Sequence, residues 1–147
     1  MLPDKTSSEF QIRGIPAEMV AGLWHYAEPY IKRALDHTSG ELLPEDLKKL
    51  CENRSAQLWL IVKNNRVIAA STTEIVTYPQ RKHCRIITLA GSGADEWTRA
   101  LDETLATWAK TQGCQSLEAY VRKGYVPKLA QLGYKHKYSS VHKVLEI

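Results

Sequence analysis

The stretch Arg85-Ile-Ile-Thr-Leu-Ala-Gly-Ser-Gly-Ala-Asp95 connects an apolar strand to the longest helix that the sequence predicts. Residues 85–89 are rich in β-branched and apolar side chains, which are typical of strands. From Asp95 to Gln112 the apolar residues recur at three- and four-residue spacing, which predicts one buried helical stripe, and Gly113 is placed to cap the helix. The members of that stripe are Trp97, Ala100, Leu101, Leu105, Trp108 and Ala109.

Downstream of this unit, a strand, a helix and a strand are predicted. They cover Ser116 to Val121, Pro127 to Leu132 with Gly133 as its stop, and Tyr134 to Leu145. Strands that are joined by a single helix pair in parallel through a right-handed crossover. The C-terminal half therefore predicts parallel strand pairing.

The upstream half begins with an alternating segment, Glu9 to Ile15, which predicts a first strand. Pro16 suits the first turn of a helix, and Pro29 is expected to end or kink that helix. A second helix is predicted from Pro44 to about Arg54, with acidic residues at its positive end.

A hairpin of two central strands follows the second helix. Its strands are predicted over Leu58 to Val62 and Val67 to Val76, with Lys63-Asn-Asn-Arg66 as the turn. The order of elements is then β-α-α-β-β-β-α-β-α-β, which predicts a mixed sheet and an α/β (α+β) fold.

Length and composition predict one globular domain over residues 1–147, with 44% hydrophobic and 24% charged residues. Apolar runs fall far short of the roughly 20 residues that a membrane-spanning helix needs. The first residues show no secretory pattern, and three widely spaced cysteines fit reduced thiols better than disulfides or a zinc site. A cytoplasmic location is therefore expected.

The net charge of +4 is concentrated at the C-terminal end. From Ala119 onward six basic residues face one acidic residue, a net charge of +5, whereas 14 bases and 15 acids elsewhere nearly cancel. Such a surface is either simply solvated or attracts an anionic cofactor, an acidic protein or nucleic acid. Tyr125, Tyr134 and Tyr138 form no obvious stacking platform, which disfavours nucleic acid.

The chain resembles the GNAT superfamily of acyl-coenzyme A-dependent N-acetyltransferases. The resemblance is strongest in the strand Arg85–Leu89, the glycine-bearing turn, the helix ending at Gly113 and the step Lys128-Leu-Ala-Gln-Leu-Gly-Tyr134. It implies a GNAT-like mixed sheet of about six to seven strands flanked by about four helices. The segments Leu43-Pro-Glu-Asp-Leu47 and Arg122-Lys-Gly-Tyr125 are also similar to segments of small GNAT-like proteins of bacteriophages and prophages.

The resemblance implies acetyl-coenzyme A as cofactor, held by the turn after residues 85–89. In the family this turn reads R/Q-x-x-G-x-G/A, and its amides hold the pyrophosphate at a helix N-terminus, where unpaired amides favour an anion. This sequence departs from the pattern at Gly91, Ala94 and Glu96. The residues expected to bind the cofactor are Leu89, Ala90, Gly91, Ser92, Gly93 and Ala94, with Arg122 and Lys128 neutralising phosphates.

Candidate catalytic residues follow from the chemistry of amide formation. The acceptor ammonium must lose a proton, and Glu74 and Glu118 are candidates for the base because each shares a strand face with apolar or aromatic residues. Each of them is equally well interpreted as a rim carboxylate that pairs with Arg85 or Lys82. The tyrosine that protonates the departing thiolate in the family is replaced by Leu129, and Tyr125 is the candidate substitute.

Two functions remain open at this point. The first is N-acyl transfer to a small-molecule or protein amine. The second is an inactive GNAT-fold interaction module, such as a phage accessory or virion component, because the pyrophosphate turn is degenerate. Nucleophilic catalysis by Cys84 has weak support, since no orienting partner accompanies the thiol.

Overall fold

A five-stranded sheet forms the centre of the protein in the computed structural model, which describes residues 10–121 and 123–146. Its strands are β1 (Phe10–Ile15), β2 (Gln57–Lys63), β3 (Arg66–Thr77), β4 (Lys82–Gly91) and β5 (Ser116–Ala119). The spatial order equals the chain order, with antiparallel pairing throughout except between β4 and β5, which are parallel. The predicted mixed sheet is confirmed.

Four helices flank the sheet within the described residues. They are α1 (Val20–Leu35), α2 (Pro44–Glu52), α3 (Ala94–Thr111) and α4 (Val126–Ala130), with short 3-10 turns over Ala17–Met19 and Lys123–Tyr125. None of the described helices is long and apolar enough to cross a membrane.

The core has two layers, one on each face of the sheet. On one face α1 and α2 bury Val20, Ile31 and Leu47 against β2 and β3. On the other face α3 buries Trp97 and Leu105 against the same strands. The hydrophobic stripe of α3 that the sequence predicted therefore faces the sheet, as burial of apolar area requires.

The hairpin between β2 and β3 forms as predicted. Asn64 and Asn65 occupy its two-residue turn with φ angles of 52° and 63°. Two consecutive left-handed residues define the hairpin turn whose twist matches that of the strands, and asparagine tolerates this conformation.

Pro29 does not end α1, contrary to one expectation from the sequence. The helix continues through it to Leu35. Pro29 lies on the exposed side of the helix. Water can therefore bind the carbonyl that has lost its amide partner, while Ala27 and Ile31 keep the buried side in register.

The strand that was predicted over Tyr134 to Leu145 is wrong. No strand is assigned to residues 134–146, and the sheet has five strands rather than six to seven. Tyr138 and Val141 are 90% and 92% exposed. Successive apolar residues in this segment are mostly three or four positions apart, so no single strand face would gather them.

Candidate active site

The parallel pairing of β4 and β5 ends partway along β4. Residues His83 to Ile86 pair with Ser116 to Ala119, and β4 then continues to Gly91 in contact with β3 alone. At the same point Ile87 is an extra residue, because Ile86 and Thr88 pair with consecutive residues of β3. Such a bulge bends a strand and is frequent beside active sites. Residues 87–91 of β4 therefore pair with no described residue on the β5 side, and this unpaired interval is called the gap between β4 and β5.

The turn from β4 into α3 is held from two sides. The Ser92 amide donates to the Ile68 carbonyl at 2.9 Å, and the Ser92 carbonyl accepts a hydrogen bond from the indole of the buried Trp97 at 2.6 Å. Gly93 follows with a φ of 68°, the left-handed conformation that glycine adopts without strain. These contacts place the exposed first turn of α3 beside the gap.

Two carboxylates lie in the first turn of α3. Asp95 and Glu96 are both exposed. The Glu96 carboxylate pairs with the Lys63 ammonium at 3.1 Å, at the end of β2. Because β3 and β4 separate β2 from β5, this ion pair directs Glu96 away from the gap between β4 and β5. The sequence contains no signal for this long-range pairing.

A row of charged side chains crosses three strands next to the gap. Glu74, Arg85 and Glu118 are direct neighbours in register on β3, β4 and β5. Arg85 donates to the Glu118 carboxylate from Nε and Nη2 at 3.3 and 3.2 Å, and its Nη1 lies 3.8 Å from Glu74. The pairing with Arg85 that was one alternative for both glutamates is thus present.

Two tyrosines complete the surroundings of Arg85. Its Nη2 lies 3.3 Å from the Tyr78 hydroxyl, and its guanidinium carbon lies 4.6 Å from the centre of the Tyr120 ring. Burial acts to lower the pKa of Arg85, but Glu118, Tyr120 and Glu74 outweigh it and the pKa is raised. The role of Tyr78 was not recognised from the sequence, because it depends on the path of the chain between β3 and β4.

The other candidates lie in the turn into α3, in the segment around α4, or outside the residues that the structure describes. Tyr125 is 45% exposed in the turn before α4, and the Lys128 ammonium lies 5.6 Å from the centre of its ring. Leu89 packs against the α3 side of the core, and Ala90 pairs with Ala70. Arg122 lies outside the described residues.

The environment of Cys84 does not favour the thiolate that a nucleophilic cysteine needs. Cys84 is buried, and burial raises the pKa of its thiol to about 11, with Cys114 adding to the rise and a hydrogen bond with Thr73 opposing it. Burial likewise raises the pKa of Cys51 to about 12. Both thiols therefore stay protonated at neutral pH, where a thiol is a poor nucleophile.

These thiols predict a selective labelling pattern. In the native protein at neutral pH, the half-exposed Cys114 is expected to react with iodoacetamide at least about 100-fold faster than Cys51 or Cys84. Peptide mapping by mass spectrometry gives the rates, and all three cysteines should react in guanidinium chloride. Native labelling of Cys84 at the rate of Cys114 would contradict the placement of β4.

A groove of about 650 Å³ lies elsewhere, between β1 and α3. Phe10, Trp59 and Trp108 form much of its apolar lining. It is at the edge of the sheet opposite to β5, and none of the candidate site residues lines it. The groove therefore plays no part in the site beside the gap.

Solved structures with the same architecture include several acetyltransferases. An aminoglycoside acetyltransferase from an uncultured soil metagenomic sample, in complex with sisomicin, matches with a TM-score of 0.69 and 10% identity over 93% of this chain and 97% of its own. A predicted acetyltransferase with acetyl-CoA from Clostridium acetobutylicum has a TM-score of 0.68 and 12% identity over 92% and 96%. Glucosamine-6-phosphate N-acetyltransferase from Arabidopsis thaliana has a TM-score of 0.64 and 14% identity over 93% and 99%.

The chain has the GNAT acetyltransferase fold. By sequence alone, no family model and no curated protein matches it. The fold class that the sequence predicted is therefore confirmed by structure, across identities of 10% to 14% that show the architecture and no more.

The backbone at the start of α3 suits the pyrophosphate that an acyl-coenzyme A carries. The amides of Ala94 and Asp95 lie in the first helical turn, where no intrahelical acceptor exists. A side chain at Gly93 would meet only the Glu96 carboxylate, 3.1 Å from the added Cβ, so the residue borders open space. Gly91, in contrast, faces the β3 backbone and leaves no room for a ligand on that side.

Proposed function

We propose that the protein is an acyl-coenzyme A-dependent N-acyltransferase. The observation that carries the proposal is the gap between β4 and β5, which opens beside a glycine-bearing turn at the start of α3 in an acetyltransferase fold. Exposed amides at a helix N-terminus attract phosphate, and a gap in the sheet can admit an extended ligand arm.

Residues of the turn and of α4 would hold the cofactor. The amides of Ala94 and Asp95, next to Gly93, are assigned to the pyrophosphate, Leu89 to Ser92 to the border of the arm, and Lys128 to the phosphates. Bound acyl-coenzyme A supplies an activated acyl group as a thioester. The Glu96 carboxylate pairs with Lys63 but also lies 3.1 Å from the position of a Cβ at Gly93, so its side chain must turn away when the pyrophosphate binds.

Glu118 and Tyr125 are assigned to proton transfer. An acceptor ammonium becomes a nucleophile when it gives a proton to a carboxylate, directly or through water. Glu118 borders the gap on β5, and Glu74 lies two strands away. We therefore assign Glu118 as the base nearest the reacting amine, and Tyr125 as the donor of the proton to the departing thiolate.

Acetyl-coenzyme A binding is the direct test. At a ligand concentration of about 100 times Kd, the native protein is expected to gain about 2.7 kcal/mol of stability, which raises Tm by roughly 8 °C. Gly93→Glu should abolish this rise, because it places a carboxylate beside the anion site. Gly93→Ala is the matched control: it has the same left-handed strain without the charge, and it should keep most of the rise.

Failure of this test has a definite meaning. A folded native protein whose Tm does not move with millimolar acetyl-coenzyme A is not an acyltransferase. The alternative function, a GNAT-fold interaction module, is favoured by that result, and its supporting observation is the pair of acids, Asp95 and Glu96, in the first turn of α3. Equal rises for the native protein and Gly93→Glu would place the cofactor elsewhere.

A further inference from the structure

The charged row carries an excess of negative charge. Its two carboxylates face one guanidinium, which leaves a net charge of −1 next to the gap. The side chains of Glu74 and Glu118 are 37% and 25% exposed, while that of Arg85 is 19% exposed. The carboxylates are thus more open to solvent than the cation between them.

The guanidinium of Arg85 is already surrounded by contacts within the protein. It contacts two carboxylates, one hydroxyl and the face of one ring. An acceptor that carries a phosphate or carboxylate would meet the two glutamates and find the guanidinium already engaged. A cationic acceptor would find an uncompensated carboxylate and two partly exposed aromatic rings, Tyr78 and Tyr120, which also attract cations.

The row shares a face of the sheet with the core under α1 and α2, and its side chains stay partly exposed there. Ala70 belongs to the core under α1 and α2, and Glu74 is four residues along the same strand, so both share that face. Arg85 and Glu118 share it as cross-strand partners of Glu74. They are one residue before the last pair of β4 and β5, Ile86 and Ala119.

An amine loses its positive charge when it becomes a nucleophile. A monoamine would therefore lose its attraction to the row at the moment of reaction. A second ammonium that is not acylated would keep the acceptor bound. The carboxylates of Glu118 and Glu74 both contact the guanidinium of Arg85, from neighbouring strands on its two sides, so the row has one carboxylate for each nitrogen of a short diamine.

We propose that the row of Glu74, Arg85 and Glu118 is an acceptor subsite for small diamines and polyamines, with the reacting nitrogen at Glu118 and a second ammonium at Glu74. This inference rests on the proposed acyltransferase function. It selects cationic acceptors over phosphorylated or carboxylated amines of similar size.

Three ligands of matched length test the subsite by isothermal titration calorimetry. Putrescine has two ammonium groups, butylamine has one, and γ-aminobutyrate replaces the second by a carboxylate. Titrations are run without cofactor and with saturating coenzyme A, which has no acyl group to transfer. Putrescine is expected to bind about tenfold more tightly than butylamine, the effect of one charge-assisted contact, and γ-aminobutyrate more weakly than either.

Variants locate the contact. Glu74→Gln should remove the preference of putrescine over butylamine. Glu103→Gln, the same substitution in α3 on the other face of the sheet, should keep the preference. A preference that persists in Glu74→Gln would overturn the placement of the second ammonium.

The outcomes for the two proposals are separable. Acetyl-coenzyme A binding together with equal affinities for the three ligands overturns the diamine subsite and leaves the acyltransferase proposal standing. Tighter binding of γ-aminobutyrate than of putrescine overturns the subsite as well. Absence of acetyl-coenzyme A binding overturns the acyltransferase and, with it, the assignment of the row to an acceptor.

Discussion

Trp97→Ala is expected to lower the free energy of unfolding by about 4 kcal/mol and Tm by roughly 12 °C. Trp97 is only 1% exposed and packs in the core between α3 and the sheet. Truncation leaves a cavity the size of an indole ring, which the surrounding strands cannot fill. The same change removes the hydrogen bond to Ser92, so the turn that borders the proposed cofactor site also loses its anchor.

Trp108→Ala is the matched comparison in the same helix. Trp108 is half-buried and packs edge-on against Trp59, so its truncation should cost about 2 kcal/mol. Urea unfolding followed by circular dichroism measures both variants. Equal losses for the two tryptophans would contradict the burial of Trp97. Trp97→Phe separates packing from hydrogen bonding and should cost about 1.5 kcal/mol.

Gly91→Ala is expected to cost about 3 kcal/mol, with a fall in Tm of roughly 9 °C. A Cβ at this position would lie 2.1 Å from the Ala69 Cβ, 2.5 Å from the Ala69 Cα and 2.7 Å from the Ile68 carbonyl oxygen. These atoms belong to the neighbouring strand and to its backbone, so a rotamer change cannot relieve the overlap. The end of β4 must shift, and the turn into α3 shifts with it.

Gly22→Ala is the control for this prediction. Gly22 lies in α1, and an added Cβ meets no atom within 4 Å. Alanine there should raise stability by about 0.5–1 kcal/mol, because it lowers the conformational entropy of the unfolded chain and favours the helix. Gly91→Ala with unchanged Tm would show that β3 and β4 do not approach as closely as described.

Gly91 illustrates how the same residue has one meaning in the sequence and another in the structure. In the sequence it belongs to a glycine-bearing turn and was predicted to approach a cofactor. In the structure it lets two strands approach each other, while Gly93 is the glycine of the turn itself. A glycine in a sequence indicates that another group approaches the backbone closely, and only the packed strands show whether that group is a ligand or a neighbouring strand.

Several features of this protein follow from its sequence because they depend on neighbouring residues. Two asparagines suffice for the hairpin turn between β2 and β3, since the backbone preference is local. The three- and four-residue spacing of α3 predicts its buried side, and Pro44 predicts the first residue of α2. The order of these elements was enough to predict the fold class.

The site depended on contacts that only the tertiary structure decides. The bulge at Ile87 and the ion pair of Lys63 with Glu96 each join residues from different strands or helices, whereas the pairing of Glu74 and Glu118 with Arg85 was one alternative that the sequence offered. The last predicted strand failed because the spacing of its apolar residues fits no single strand face, and none of residues 134–146 pairs with the sheet. Periodicity reports what a segment can bury, whereas register and pairing are set by the whole sheet at once.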